Sequence, residues 1–259
     1  MMQAYSLFEG SFSVDASKKF IPFDPALHNA TDRPGSMFIQ VHPFLIESPN
    51  GPILCDTGLG LKDENGTLLL YQNLKKMGYE PKDVKYVLMS HLHKDHAGGM
   101  VNFEDGVGRI AFPEAEYIVQ RGEWEDAYSG INPSYRTEIF DVVQRSGNLN
   151  LVEGAGSVNH EIAFKRSGGH TRNHQVFHIE TGDNHYFFGG DVLPKPEEII
   201  HNHIAKYDDN GRLSKQLRQE YWKQGAPENW IYLFYHAKSF AIGQPKLRSD
   251  GTYEMIEAK

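Results

Sequence analysis

Ser90-His91-Leu92-His93-Lys94-Asp95-His96-Ala97-Gly98-Gly99 packs three histidines and a carboxylate between positions 91 and 96. It follows Val84-Lys85-Tyr86-Val87-Leu88-Met89, a β-branched and aromatic run that reads as a buried strand behind the turn Pro81-Lys82-Asp83. The histidines therefore fall where a strand ends. In an extended chain His91 and His93 share a face, because side chains alternate with period two. The chain must then turn, and Gly98-Gly99 is expected to supply the backbone freedom that swings Asp95 and His96 to a second point nearby. Imidazole and carboxylate at this density suit zinc, iron, manganese or nickel, with zinc first in a site that has no thiolates. A histidine-rich surface loop would need neither the apolar strand leading in nor the glycine pair leading out.

The rest of the composition narrows the class. A chain of 259 residues can bury a substantial core, as one large domain or two small ones. No apolar run is long enough to span a membrane, so no membrane partner is expected. The start, Met1 to Gly10, lacks the basic and continuous apolar parts of a secretory signal. Cys55 is the only cysteine, which rules out an internal disulfide and agrees with a reducing compartment, the cytoplasm by default. Net charge is -8 and no block of lysine or arginine occurs, which argues against nucleic acid as a partner. A small molecule is the expected partner, and monomer and homodimer both stay open.

Working outward, residues 1–37 look irregular and are expected to cover an edge of the fold or contribute to a substrate mouth. Phe38 to Glu47 reads as a strand with an edge or bulge at Pro43, and Pro52 to Asp56 returns as its hairpin partner. Leu68 to Gly78 has helical spacing. Beyond the histidines, Arg109–Phe112 and Glu116–Val119 read as strands. Helices are expected over 123–128 and 136–146, separated by the break Gly130-Ile131-Asn132-Pro133, and residues 121–147 form a helical cap in this reading. In the second half, strands are expected at 150–153, 161–166, 175–180, 185–188 and 230–235, with a helix over 212–225. No Pro-, Gly- or Ser-rich linker divides the halves, so one domain of two sheets covered by helices, with its core over about 38–236, is the economical α/β arrangement.

Three later sites share the pattern of the first. Ser167-Gly168-Gly169-His170-Thr171 puts a histidine on a glycine turn after a strand. Phe187-Phe188-Gly189-Gly190-Asp191 ends an apolar strand in an aspartate, and Leu233-Phe234-Tyr235-His236 ends one in a histidine. Strand ends are where α/β sheets gather their active sites. The set His91, His93, Asp95, His96, His170, Asp191 and His236 exceeds what one zinc holds and suits two metals about 3.5–4 Å apart with a shared carboxylate.

In this order and context the chain resembles the metallo-β-lactamase-fold hydrolases, over about Phe38 to His236, and Asp56-Thr57-Gly58 matches a further recurrent element of that family. The resemblance implies a four-layer αββα sandwich with two divalent metals at one edge, zinc first, with iron or manganese as the alternatives. It implies His91, His93 and His170 on one metal, Asp95, His96 and His236 on the other, and Asp191 bridging both together with a hydroxide. Asp56 would support the ligands from behind, and Asp95 would receive or relay the proton. Phe112-Pro113-Glu114-Ala115-Glu116-Tyr117 and Arg121-Gly122-Glu123-Trp124 look like the N-acyl homoserine lactonase branch, which opens a lactone by attack on its carbonyl. The expected reaction is therefore hydrolysis of a small ester or lactone. A phosphodiester or thioester hydrolase and a metal-dependent binding module are the alternatives.

The chain departs from that branch at three places. Arg172-Asn173 stands where proline and glycine are usual, Pro194 where a tyrosine is frequent, and Ala237-Lys238 where aspartate and proline are usual. With Pro194 in place, the metals polarise the carbonyl alone or another tyrosine such as Tyr207 substitutes. His174 is expected behind the ligands and His178 as a hydrogen-bonded packing residue, with His201 and His203 as possible mouth residues. Cys55 reads as a small buried hydrophobe, and Trp124, Tyr128, Tyr135 and Trp222 as core before pocket wall.

Overall fold

The computed structural model describes residues 3–129, 132–201 and 203–258. Of the expected break at Gly130-Ile131-Asn132-Pro133, the first two residues lie outside that set. Two sheets dominate. One has six strands in the order Ala4–Ser6, Phe44–Ile46, Ile53–Cys55, Tyr86–Leu88, Glu116–Gln120, Leu149–Val152, and its last three pairings are parallel. The other has seven, in the order Ala155–Ser157, Ile162–Arg166, Gln175–Thr181, Asn184–Phe188, Ile231–Leu233, Ile242–Leu247, Tyr253–Glu257. It is antiparallel except where Asn184–Phe188 runs beside Ile231–Leu233.

Period-two alternation decides the layers. Ile53, Cys55, Leu88 and Ile118 point to one face of the first sheet and meet Ile162, Phe177, Ile179, Phe188 and Leu233 of the second. Leu54, Val87, Tyr117 and Val119 point the other way, onto Leu70 and Leu74 of the helix Leu69–Lys76, Trp124 and Ala127 of Arg121–Tyr128, and Ile139, Phe140 and Val143 of Thr137–Ser146. The outer face of the second sheet packs Val176, Phe187 and Tyr232 against Leu217 and Tyr221 of Gly211–Gly225. The result is helix, sheet, sheet, helix. Among the described residues, no helix is long and apolar enough to cross a membrane.

Several details correct the sequence reading. Residues 3–37 are not irregular: Ala4–Ser6 edges the six-stranded sheet, and Gly10–Val14 pairs with Phe20–Pro22 on one side and Met37–Val41 on the other in a small third sheet. The strand expected at Arg109–Phe112 is instead Val107–Ile110, paired with Val101–Glu104 across Asp105-Gly106, both at positive φ. That is the two-residue hairpin which Asp-Gly favours. Pro43 separates Met37–Val41 from Phe44–Ile46, so the chain changes sheets there. The helices of the 121–147 segment pack on the first sheet, and the stretch between them supplies Ser134 to the pocket described below.

Gly98 and Gly99 play a different part from the one expected. Gly98 has ordinary helical angles, and the turn is made by the one-turn helix Lys94–Ala97. What the pair permits is close approach: a Cβ at Gly98 would lie 2.2 Å from the Leu59 carbonyl oxygen, and one at Gly99 2.2 Å from that of Thr57. Two bare backbones therefore press the Asp56–Leu59 turn against the cluster.

Candidate metal centre

The strand Tyr86–Leu88 delivers His91 and His93, and the short helix after it delivers Asp95 and His96. The parallel pair Asn184–Phe188 and Ile231–Leu233, in register Phe188 opposite Leu233, brings Asp191 and His236 to one end of the second sheet. His170 arrives on the turn between Ile162–Arg166 and Gln175–Thr181. Among the described residues three sets of donor atoms each lie within 4.8 Å of one another: Asp56–His91–His96, which Asp56 closes from behind, and two triads, His91–His93–His170 and Asp95–His96–His236.

Asp191 lies between them. Its Oδ1 is 3.3 Å from His96 Nε2 and 3.1 Å from His236 Nε2, while its Oδ2 is 3.4 Å from His170 Nε2. In the first triad, His93 Nδ1 is 3.0 Å from His91 Nε2 and 3.1 Å from His170 Nε2. In the second, Asp95 Oδ2 is 3.6 Å from His96 Nε2 and 3.5 Å from His236 Nε2. Nitrogens held tetrahedrally at about 2.0–2.1 Å from a cation lie roughly 3.4 Å apart, so this spacing fits shared coordination. His96 Nε2 and Asp191 Oδ1 are buried and have no hydrogen-bond partner, which is how donors aimed at a cation look in its absence.

The far nitrogens of four histidines are engaged. His96 Nδ1 donates to Asp56 Oδ2 at 2.6 Å, His170 Nδ1 to Asp208 Oδ1 at 2.9 Å, His236 Nδ1 to the Gln40 carbonyl at 2.7 Å, and His91 Nδ1 to Ser90 Oγ at 3.0 Å. Each bond fixes the tautomer that leaves the Nε2 lone pair facing the cluster. Asp56 also accepts from Ser90 N at 2.7 Å and Ser90 Oγ at 2.6 Å, so it ties the strand end to the short helix. It does so from a left-handed backbone, φ 54°, a strain of order 1 kcal/mol that aspartate tolerates.

Ser90, Gln40 and Asp208 were not read as partners from the sequence. Two more supports also escaped the sequence reading. Tyr235 stacks on His96 at 4.1 Å and donates from its hydroxyl to the Asp95 carbonyl at 2.8 Å. Glu9, far away in sequence, accepts from Leu59 N at 2.6 Å and Leu61 N at 2.8 Å and so holds the Asp56 turn. Burial pushes Glu9 up to about 7 although these backbone donors pull it down. Asp208 alone had a visible signal, since Asp208-Asp209-Asn210 opens the helix capped by Asn210.

Other residues fall as follows. His174 is fully buried behind the cluster, where its Nε2 accepts from Asp191 N at 3.2 Å and its Nδ1 meets Ser167 Oγ at 2.8 Å. His178 pairs with His185 at 2.9 Å against Trp230, in the packing role expected. His201 and His203 are exposed and do not line the pocket. Cys55 is buried between the sheets. Trp124 and Tyr128 pack around Phe140 and Trp222 against Tyr232, whereas Tyr135 reaches His93, ring to ring, at 5.2 Å.

The electrostatics favour a cation. Burial makes a charged imidazole costly, and it drives His91 and His93 well below the usual range, helped by the neighbouring rings. At His96 burial acts the same way, but Asp191, Asp95 and Asp56 outweigh it and lift the ring well above that range. Asp191 is the converse: His236, His96 and His170 overcome its burial and hold it well below ordinary carboxylates.

In front of the cluster is a pocket. His93, Asp95, His170, Asp191 and His236 form its floor, and Val14, Phe20, Met37 and Ile39 form an apolar wall. Tyr207 lines it as well, 5.8 Å ring to ring from His170.

A four-layer sandwich with two such donor sets at one edge defines a class of metal-binding α/β proteins. The chain belongs to the metallo-beta-lactamase superfamily, whose model matches residues 37–236. An N-acyl homoserine lactonase of a Bacillus species is 34% identical over 173 residues, covering 59% of this chain and 64% of its own length. The chain thus spans just under two thirds of that relative. Among solved structures, a probable metal-dependent hydrolase from Staphylococcus aureus superposes with a TM-score of 0.74 at 22% identity, over 100% of this chain and 98% of that one. An N-acyl homoserine lactone hydrolase, solved with N-hexanoyl-L-homoserine at its catalytic metal centre, gives 0.64 at 26% identity, over 91% and 93%.

Proposed function

We propose that the protein is a dinuclear metal-dependent hydrolase of small esters or lactones. The observation that carries this reading is the single carboxylate of Asp191, whose two oxygens face two separate donor triads. In this reading His91, His93 and His170 would hold one divalent ion and Asp95, His96 and His236 the other, with the Asp191 carboxylate, which faces both triads, shared between them. Nitrogen and carboxylate donors without thiolate make zinc the first choice, with iron or manganese next. When bound, such a pair supplies a nucleophile from water near neutral pH and polarises the acyl oxygen.

The chain's own residues do the rest. Asp95 lines the pocket floor and receives the proton released on attack, then passes it toward the leaving oxygen. Tyr207 takes the place of the tyrosine missing at Pro194. Burial, and then Glu198, Asp191 and Asp208, hold its phenol far above neutrality, so it keeps a proton to donate to the substrate carbonyl. Val14, Phe20, Met37 and Ile39 bind an apolar acyl part and keep water from it. The similarity to N-acyl homoserine lactonases makes a lactone with an acyl chain the first substrate to try.

The test is turnover by metal-loaded protein of an N-acyl homoserine lactone, an aryl ester, bis(4-nitrophenyl) phosphate and a glutathione thioester. Hydrolysis of the lactone or the aryl ester is expected. Turnover of the phosphodiester alone would contradict the reading.

A further inference from the structure

Three lysines, Lys18, Lys94 and Lys195, line the pocket together with the apolar wall and the metal-ligand floor. All three are half-buried, and among the described residues none has an ion-pair or side-chain hydrogen-bond partner. Acids close to them in the chain are already engaged. Asp15 accepts from Ser17 N at 2.9 Å and pairs with Arg33 at 3.3 Å. Glu198, whose charge Lys195 feels, is paired with Arg218 at 2.7 Å, and Glu197 accepts from Ser239 at 3.1 Å. Asp95 and Asp191, the two carboxylates in the pocket lining, face the histidines.

The placement of Lys18 is built rather than incidental. It sits in the turn between Gly10–Val14 and Phe20–Pro22 with φ 57°, a left-handed backbone that costs a lysine about 1 kcal/mol. That conformation turns Lys18 into the pocket while its neighbour Lys19 stays exposed. Lys94 is held over the Phe20 ring at 5.6 Å, on the same wall. Like charges gathered in one concavity repel. A cluster of this kind is relieved by a bound anion.

We propose that the pocket takes an anionic ester: a small substrate with an apolar body that carries, away from the bond to be cleaved, a carboxylate or phosphate held by Lys18, Lys94 and Lys195. The proposal rests on the hydrolase reading, because only when Asp95 and Asp191 are committed to cations do the lysines lack a counter-charge in the pocket. The body of such a substrate lies on Phe20, Met37 and Ile39, and its charged end meets the lysines.

Calorimetry on the metal-loaded full chain tests it with unreactive probes. Glutaric acid monoanilide carries the anion, pentananilide is its neutral counterpart, and 4-phosphonobutyranilide replaces the carboxylate with a phosphonate. Wild type is expected to bind an anionic probe at least tenfold more tightly than the neutral one, and whichever anion is favoured identifies the group. In Lys18→Met/Lys195→Met, with metal content still two per chain, the difference should shrink below threefold. The two single variants are measured as well, so the test survives poor folding of the double variant, and each should lose part of the preference. Equal binding of charged and neutral probes by wild type would overturn the proposal. So would a preference untouched by the substitutions, since the metals alone would then explain it. Failure of the hydrolase reading looks different: the 4-nitrophenyl esters of glutarate and pentanoate would both stay intact while the lysine-dependent preference persisted.

Discussion

At the scale of single residues, the cluster divides its histidines by what stands behind them. His236 owes its orientation to one carbonyl, that of Gln40, whereas His96 is fixed by the buried Asp56 carboxylate. Replacing His236 with alanine should therefore lower occupancy of one metal more than the other. Metal content after dialysis is expected to fall from about two toward one per chain. Tyr207 touches the pocket but no donor atom of the triads is its hydrogen-bond partner, so Tyr207→Phe should keep both metals. It should lower kcat/KM for the preferred ester about a hundredfold or more, the usual scale for losing one donor to a developing oxyanion. Unchanged kinetics in that variant would remove Tyr207 from the mechanism.

At the scale of elements, what the sequence revealed followed the density of its signal. The run from Val84 into His91 was legible because an apolar strand and four ligand-type residues meet within a dozen positions. Asp56 was reachable only through resemblance, since its contacts with Ser90 and His96 span 34 and 40 residues. The N-terminal strands were missed although Ser11-Phe12-Ser13-Val14 alternates polar and apolar, because the strands there are only three to five residues long. The strands Ile242–Leu247 and Tyr253–Glu257 went unread for a similar reason, as Pro245 and Lys246 blur the first and the second is half-exposed throughout. Asp105-Gly106 was the overlooked hairpin signal. The Gly98-Gly99 pair was recognised, but its reason was not, because close approach to a turn about 40 residues earlier leaves no local trace. A methyl group at Gly98 would meet backbone atoms of Leu59, which cannot move aside as a side chain could. Gly98→Ala should cost about 3 kcal/mol, the upper end of the range for overpacked sites, and lower the melting temperature by roughly 6 °C or more. Thermal unfolding of the two forms side by side measures it.

At the scale of the whole molecule, stability carries a pH signature from a histidine outside the cluster. His178 lies far from the cluster in the second sheet, and burial, then His185 and Lys165, lower it to about 4. The unfolded chain takes up a proton there below about 6.5, whereas the folded chain does not until near 4, so the unfolded state binds more protons in that window. Stability contributed by the neutral ring is therefore complete above about 6.5 and declines as pH falls toward 4, by at most roughly 3 kcal/mol. Denaturant unfolding at several pH values should show a flatter decline in His178→Gln. An identical decline would place the loss elsewhere.

The central claim is that one carboxylate joins two metal sites, and elemental analysis of the purified chain beside Asp191→Asn tests it most directly. The wild type should carry close to two divalent ions per chain. The variant should carry one or fewer, because an amide bridges two cations poorly. Near-zero metal in the wild type, or two metals undiminished in Asp191→Asn, would contradict it.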